Sequence, residues 1–409
     1  MVRLAEQPIV VPGARVTRSR WTDEFLDSLR LQGDPLADEY LKLIIKDDEI
    51  GGITKLFSKM DSNDATPPDN LFPELAQFFK TTHDLPPGVD PDRIHRGEEV
   101  FSEHAFEGAL VLLTKSLPEG YAAPNLSIIL NISGDLRTHT YKRLLGTLQM
   151  LINVSASRGF QPGGRAVIVA QKLRLLHAGI RHLTYRYRPG FRAKYGVPVN
   201  QEDMLGTIMG FSYLVIMGLR RLDVGLTTAQ EEDFFYVWRV FAHMMGIHPA
   251  GKPESVEHLA DNVEDAGHFY EAYKRRHYVR ASENPDGVAL GASSLEMLQN
   301  MIPGFLRFCG FGLLPRLYMD ELMGAEACER IRIRPVAGRV ILKWILRHIH
   351  KLWGLFEQYD RTDHVRISQL IFQGMIDRAY DGQVTFTVPD SLTGLKGMVQ
   401  NTDVRPSPK

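Results

Sequence analysis

Cysteine is almost absent from this chain of 409 residues, which contains only Cys309 and Cys328. Two thiols cannot build a disulfide framework or a four-thiolate metal site, so iron–sulfur and thiolate chemistry are excluded. A surplus of one charge is absent as well, since 48 basic and 49 acidic side chains give a net charge of −1. Without a basic surface to hold a phosphate backbone, nucleic acid is not expected as a partner.

Long apolar segments are also absent. The longest, Met204–Leu219, has 16 residues, which is short of the roughly 20 needed to cross a bilayer. We predict that it forms a buried helix. Residues Met1–Arg20 contain no apolar run of signal-peptide length. The sequence therefore predicts a cytoplasmic protein with no stable membrane insertion.

Several catalytic signatures are absent from the sequence. It has no phosphate-binding glycine loop, no Gly-x-Ser-x-Gly elbow and no His-Glu-x-x-His helix. The pairs Glu254–His258 and Glu264–His268 stand four residues apart, whereas di-iron bundles use Glu-x-x-His. We interpret both pairs as solvated ion pairs on helix surfaces.

Two pairs of histidines stand five residues apart, His177 with His182 and His243 with His248. Five residues turn a helix by about 140°, so we expect neither pair to share a metal ion. Single histidines in apolar helices remain. They are compatible with a haem protein, because one imidazole suffices as axial ligand.

Apolar periodicity predicts a mainly α protein that forms a single helical domain. We divide it into an N-terminal arm with peripheral helices (1–92), a core (93–275) and a C-terminal helical extension (276–409). Residues 1–35 are expected to be an irregular arm, and only 384–389 alternate like a strand. Helix starts are predicted at Asp38, at Asn200 and at Thr228 with Glu231 as its capping-box partner.

His177 is the candidate metal ligand. It lies in an amphipathic helix predicted at about 165–187, and Ala170, Leu173 and Ile180 share its face. This small, apolar surface suits a flat ring, and Arg174 and Arg181 lie close enough to pair with propionates. A core histidine without a ligand is the alternative.

The preceding predicted helix, at about 137–157, places Arg143, Thr147 and Met150 on one face. A buried arginine is costly unless it is paired, so Arg143 either meets a carboxylate or serves a bound ligand. The alternative is an arginine that reaches the surface along its own stem.

These segments resemble the latex-clearing protein family, which includes fungal oxygenases that cut isoprenoid side chains. The resemblance rests on Arg143-x-x-Gly146-Thr147, on the helix around His177 and on the segment that begins Gln201-Glu-Asp-Met-Leu-Gly-Thr. It also includes the segment that begins Gly225-Leu-Thr-Thr-Ala-Gln. It spans roughly residues 95–260.

The resemblance implies a globin-like core that binds haem b, with His177 as the proximal ligand and Arg143 and Thr147 on the distal side. Gly146 and Met150 would line the same pocket. The family reaction is dioxygen-dependent cleavage of a trisubstituted C=C bond into two carbonyl products. Family members that cut polyisoprene carry a lysine where this chain has Gly146, which would leave more room above the iron. Glu107 and Glu119 are candidates for the acidic residue.

The function predicted here is a haem b-dependent oxygenase that acts on an isoprenoid-like or other apolar intracellular substrate with dioxygen. A haem enzyme of different chemistry, peroxidase-like or Lewis-acid, is the first alternative. A haem carrier or sensor is the second, and a cofactor-free lipid-binding module is the third. A homo-oligomer is left open.

Overall fold

The computed structural model describes residues 20–46, 60, 62–65, 73–132, 136–248, 259–302, 304–308 and 310–336. Regular structure within these ranges is entirely helical, which confirms the predicted mainly α class. The expected helix at 338–356, the strand-like segment at 384–389, Glu254–His258 and Cys309 lie outside the described residues.

The α-helices run in chain order as follows: α1 Asp23–Arg30, α2 Pro35–Lys46, α3 Pro73–Thr81, α4 Pro91–Glu103, α5 Ala105–Val111, α6 Leu117–Gly120, α7 Pro124–Ile132, α8 Leu136–Ser155, α9 Ala166–Tyr187, α10 Phe191–Tyr195, α11 Gln201–Phe211, α12 Tyr213–Arg221, α13 Thr228–Met244, α14 Val263–His277, α15 Pro285–Met301, α16 Gly304–Phe308, α17 Leu314–Met323 and α18 Ala325–Arg330. A π-helical turn, Leu112–Ser116, joins α5 to α6. Short 3₁₀ turns occupy Ala281–Glu283 and Phe311–Leu313.

Helix α13 lies at the centre of the fold. Its aromatic residues Phe234, Trp238 and Phe241 are buried, because neighbours cover the helix on nearly every side. Helix α4 packs closely along it. A Cβ at Gly97 of α4 would lie 2.3 Å from the carbonyl oxygen of Asp233, so only glycine permits this approach.

The described residues form one large apolar core, a smaller core and a minor cluster of Leu317 with Val336. The large core draws on helices from α1 to α18, with α13 in its middle. The smaller core lies between α2, α3 and one face of α9, where Leu41, Phe78 and Leu175 meet. Helix α9 therefore separates the two cores and faces both of them.

The predicted irregular arm is wrong for residues 20–35. Thr22 caps α1 by accepting from the backbone N–H of Phe25, and Leu26 and Leu29 are fully buried in the large core. The sequence pattern was missed because α1 has only eight residues, which is too short for a clear helical period.

Two predicted helix starts are displaced, and one is confirmed. Helix α2 begins at Pro35, and Asp34, not Asp38, accepts from the N–H of Ala37. Helix α13 is capped by Thr227 with Gln230 in a capping box. The predicted partner Glu231 instead binds Arg220. Asn200 caps α11 as predicted, by accepting from Asp203 N–H.

The longest apolar segment is interrupted at Ser212, where α11 ends and α12 begins. Within the described ranges, Gln201–Arg221 is the one helical stretch long and apolar enough to cross a membrane. Its most apolar window is 72% buried inside the fold. Core packing therefore accounts for its apolar character.

Candidate active site around His177

His177 lies on the face of α9 that points to the large core. Ala170 and Leu173, seven and four residues earlier, belong to that core and share the face. The residue is half-buried, and its Nδ1 atom is shielded from solvent and has no hydrogen-bond partner within the described ranges. Burial lowers the pKa of His177 to about 3, and the positive charge of Arg181 adds to this effect. The imidazole is therefore neutral near pH 7, as a metal ligand must be.

The two arginines predicted to meet propionates both hold carboxylates. Arg174 donates through Nε to Asp34 Oδ2 at 2.7 Å and through Nη2 to Asp34 Oδ1 at 3.0 Å, and both side chains are buried. Arg181 donates through Nε to Asp38 Oδ1 at 2.7 Å and through Nη1 to the carbonyl of Val199 at 3.2 Å.

These pairings treat the two arginines differently. The Asp34 carboxylate already neutralises Arg174 through two parallel hydrogen bonds, the strongest geometry available to this pair. Arg181 keeps a buried Nη2 atom without a partner among the described residues. The propionate role stays a prediction for both, and the uncommitted Nη2 favours Arg181.

The predicted distal residues lie on α8, which packs against α9. Met150 is buried, and Gly146 and Thr147 are half-buried. A Cβ placed on Gly146 would meet no atom within 4 Å, so open space adjoins the helix at this turn. Arg143 belongs to the same helix one turn earlier, and its side chain lies outside the described atoms.

Glu119, one of the two candidate acids, is committed to a buried cluster. Its Oε2 accepts from Lys115 Nζ at 2.6 Å, and its Oε1 accepts from the Tyr270 hydroxyl at 2.7 Å. Lys115 stands in the π-helical turn, where burial lowers its pKa. The other candidate, Glu107, is buried near Tyr318, and its charge helps burial to raise the pKa of Tyr318 to about 12.

The spacing argument for His243 and His248 is wrong. It assumed one continuous helix, but α13 ends at Met244 and the chain turns at Gly246 with a φ of +74°. The two rings consequently lie 4.7 Å apart between centroids. Burial lowers the pKa of each to about 4. Within the described ranges, no third His, Cys, Asp or Glu completes a metal-binding group with them.

Gln201 ties this turn to the start of α2. Its Nε2 donates to the carbonyls of Gly33 and Gly246, at 2.8 and 2.9 Å, and its Oε1 accepts from the backbone N–H of His248 at 2.8 Å. A Cβ on Gly246 would lie 2.9 Å from both Arg174 Nε and Asp34 Oδ2. Glycine is therefore required where the turn approaches the ion pair.

Glu202 and Asp203, the next two residues, anchor a buried polar network. Glu202 Oε1 lies 2.8 Å from His277 Nε2 and accepts from Arg276 Nε at 3.0 Å. Asp203 accepts from the Tyr273 hydroxyl at 3.0 Å and from the side-chain amides of Asn125 and Asn200. Burial raises the pKa of Asp203 to about 6.

Sequence reasoning missed most of these partners. Asp34 lies in the segment predicted to be an irregular arm, and Asp38 was predicted only as a helix cap. No role was predicted for three further residues, His277, Arg276 and Tyr273. One signal was available, because a buried arginine on α9 requires a carboxylate somewhere in the chain. The spacing of residues along the chain could not indicate which carboxylate.

The chain is similar to a known protein family over the region that contains the candidate site. Residues 106–348 match the model of the "ER-bound oxygenase mpaB/B'/Rubber oxygenase, catalytic domain" family. The chain belongs to this oxygenase family. The matched residues include all of α8 and α9, and so both helices of the candidate site.

Individual members of the oxygenase family are similar over different lengths. The chain is 26% identical over 220 residues to a rubber oxygenase of Streptomyces sp. strain K30, a match that spans 52% of this chain and 53% of that protein. The solved structure of latex clearing protein in its closed state aligns with a TM-score of 0.68 at 21% identity. This alignment covers 83% of this chain and 91% of that one, and it shows a shared fold.

Proposed function

We propose that the protein is a haem b-dependent oxygenase that oxidises or cleaves a C=C bond of an isoprenoid-like or other apolar molecule. Membership of the oxygenase family supports the reaction class. The observation that carries the haem assignment is His177, a neutral imidazole on a helix packed against α8, whose shielded Nδ1 has no partner in the part of the chain that the structure describes.

The residues of the site fit a haem. His177 would hold the iron, and Leu173, Ala170 and Met150 offer the apolar surface that a porphyrin requires. Open space beside Gly146 provides room at the position where the resemblance implies a lysine in rubber-cleaving members of the family. When bound, haem supplies an iron centre that activates dioxygen.

The chain's own groups have three tasks in this proposal. His177 stays unprotonated across the physiological pH range, because its burial disfavours the imidazolium form. The Arg143 guanidinium and the Thr147 hydroxyl are donors for negative charge that develops on the reacting oxygen atoms, and such donors act most strongly in a dry site. The apolar faces of α8 and α9 exclude water and hold the alkene in place.

The proposed cleavage is balanced without a further reductant. Both atoms of one dioxygen molecule enter the substrate, the C=C bond breaks, and two carbonyl compounds form. The alkene carbons are oxidised, and dioxygen is the oxidant.

The first test is an absorption spectrum of the pure protein produced with added hemin, followed by pyridine extraction to identify the porphyrin. We expect one haem b per chain. A colourless protein would overturn the haem assignment and would favour a lipid-binding module.

The second test measures oxygen uptake with squalene or a prenylated quinone, with ¹⁸O₂ labelling and mass spectrometry of the products. We expect one labelled oxygen atom in each carbonyl fragment. A haem-loaded protein that consumes no oxygen with any such alkene would overturn the oxygenase assignment. Peroxide-dependent turnover would then indicate a peroxidase-like enzyme, and its absence a haem carrier.

A further inference from the structure

A group of large apolar side chains points into solvent between α15 and α17. We name it the apolar tip and define it as Phe305, Phe308, Phe311 and Leu313. Their exposed fractions are 71%, 94%, 48% and 44%. Isolated exposed apolar residues are ordinary on protein surfaces, but four in nine residues form a patch of the kind that marks an interaction site.

The described part of the tip is held in a fixed conformation by its neighbours. Gln299 of α15 donates through Nε2 to the carbonyl of Gly312 at 3.0 Å. Arg307 donates through Nη1 to Asn300 Oδ1 at 2.7 Å. Gly310 turns the chain with a φ of +92°, which favours glycine. The phenylalanines are thus exposed on a segment whose conformation is held by hydrogen bonds and by a turn.

The charge along the tip's own segment of sequence has one sign. No aspartate or glutamate occurs between Glu296 and Asp320, and the only charged residues in that interval are Arg307 and Arg316. Such a segment fits a membrane surface. Its apolar side chains can enter the acyl region, and its arginines are attracted by anionic headgroups.

We propose that the apolar tip is a peripheral membrane-binding site that inserts its phenylalanines into the interface of a bilayer containing anionic lipid. A stable protein interface usually involves 20–30 residues on each side, far more than these four side chains. A fluid acyl region needs no matching pocket, so a few protruding aromatic rings suffice. This attachment lies on the surface of the bilayer and requires no spanning helix.

This proposal does not depend on the chemistry proposed at His177, since the tip uses residues of α16 and the 3₁₀ turn only. Its test likewise uses binding and not activity. Full-length protein is sedimented with vesicles of phosphatidylcholine alone, or with one quarter phosphatidylserine, at low and physiological salt. We expect binding to both and tighter binding to the anionic vesicles.

Two variants separate the two contributions. The double substitution Phe305→Ser/Phe308→Ser should lower the partition coefficient at least about tenfold, because two large side chains no longer reach the acyl region. Arg307→Gln should weaken only the preference for anionic vesicles, by about fivefold, the usual effect of one charge near such a surface. Arg307→Lys should keep that preference.

The matched control is Leu31→Ser, which removes another exposed apolar side chain, 63% exposed, from a different part of the surface. It should leave vesicle binding unchanged. Circular dichroism and thermal unfolding show whether each variant folds. If the double variant does not fold, Phe308→Ser alone is used, since a side chain that is 94% exposed contributes little to packing.

Three outcomes would overturn the proposal. The wild-type chain could stay in the supernatant with both kinds of vesicle, as expected if residues 337–409 cover the tip. The double variant could sediment as the wild type does, which would assign binding to another surface. Sedimentation velocity without lipid could show a dimer that the double variant abolishes, with no vesicle binding, which would assign the tip to a second copy.

Discussion

Two histidines in this fold, His177 and His277, have opposite surroundings. His277 ends α14 and places Nε2 2.8 Å from Glu202, inside a network that also includes Arg276. His177 lies on α9 with a shielded Nδ1 that has no partner among the described residues, and burial, with the nearby charge of Arg181, lowers its pKa. The Nε2 atom of His277 has a protein partner, whereas the Nδ1 atom of His177 has none among the described residues.

Whether a ring nitrogen has a protein partner distinguishes a structural histidine from a candidate ligand better than its degree of burial does. A buried polar group without a partner costs free energy, so its retention calls for a ligand or another specific explanation. His277 already has a sufficient structural explanation in Glu202. For His177 the proposed haem would be that explanation, and the open space beside Gly146 of α8 is compatible with it.

The largest expected effect is loss of the haem. His177→Ala should reduce bound haem from one per chain to nearly none, because the axial ligand is removed. Haem content is measured by pyridine extraction and compared with protein concentration. His277→Ala should keep the haem while lowering the melting temperature. The exposed His268→Ala should change neither, and full haem loading of His177→Ala would refute the assignment.

The next effect tests the His277 side of the comparison. Glu202→Ala should lower the free energy of unfolding by about 3–5 kcal/mol, because it leaves His277 and Arg276 without their buried carboxylate. Urea denaturation measures the change. Glu264→Ala, an exposed carboxylate in the first turn of α14, is the control and should cost within about 1 kcal/mol. Equal losses in both variants would mean that the network contributes nothing specific.

A third prediction concerns Arg143, which the proposal places on the distal side. Arg143→Ala should retain haem but slow turnover by about tenfold to a thousandfold, the usual cost of losing a donor that stabilises developing charge. Oxygen uptake at saturating alkene gives the rate. Arg143→Lys keeps the positive charge and should retain part of the turnover rate that the alanine variant loses. Unchanged turnover in the alanine variant would remove Arg143 from the mechanism.

The smallest effect is a pH dependence. The pKa of Asp203 is about 6 in the fold against 3.8 without it. Asp203 therefore binds its proton more readily when folded, and its contribution to stability is lost as the pH rises through 6. From pH 7 to pH 5 it should add about 1 kcal/mol to the free energy of unfolding. The gain is measured as the difference between wild type and Asp203→Asn in parallel urea titrations. Parallel curves for the two would contradict the raised pKa.

The local parts of the site could be predicted from the sequence. The face of α9 that carries Ala170, Leu173 and His177 follows from helical periodicity alone, and the structure shows that face in the large core. The helical class and the break between α8 and α9 at Gly163–Gly164 followed from the same kind of pattern. Such features depend on residues within a few turns of one another.

The partners of α9 could not be predicted, because they come from distant residues. Asp34 is 140 positions before Arg174. The sequence offers 49 acidic side chains, and no periodicity selects one of them. The contact between His243 and His248 could not be predicted for a related reason. It depends on where α13 ends and on the turn at Gly246. The exposure of the apolar tip could not be predicted either, because the sequence does not show whether a phenylalanine is exposed or buried.

The pairing of Asp34 with Arg174 and of Asp38 with Arg181 bears on how this enzyme can be subdivided. Both aspartates precede the segment that matches the oxygenase family, which begins at residue 106. A recombinant fragment trimmed to those borders would leave two guanidinium groups beside His177 with no counter-ion. The contacts of α9 thus extend beyond the segment that matches the family, since Asp34 stands some seventy positions upstream of its first residue.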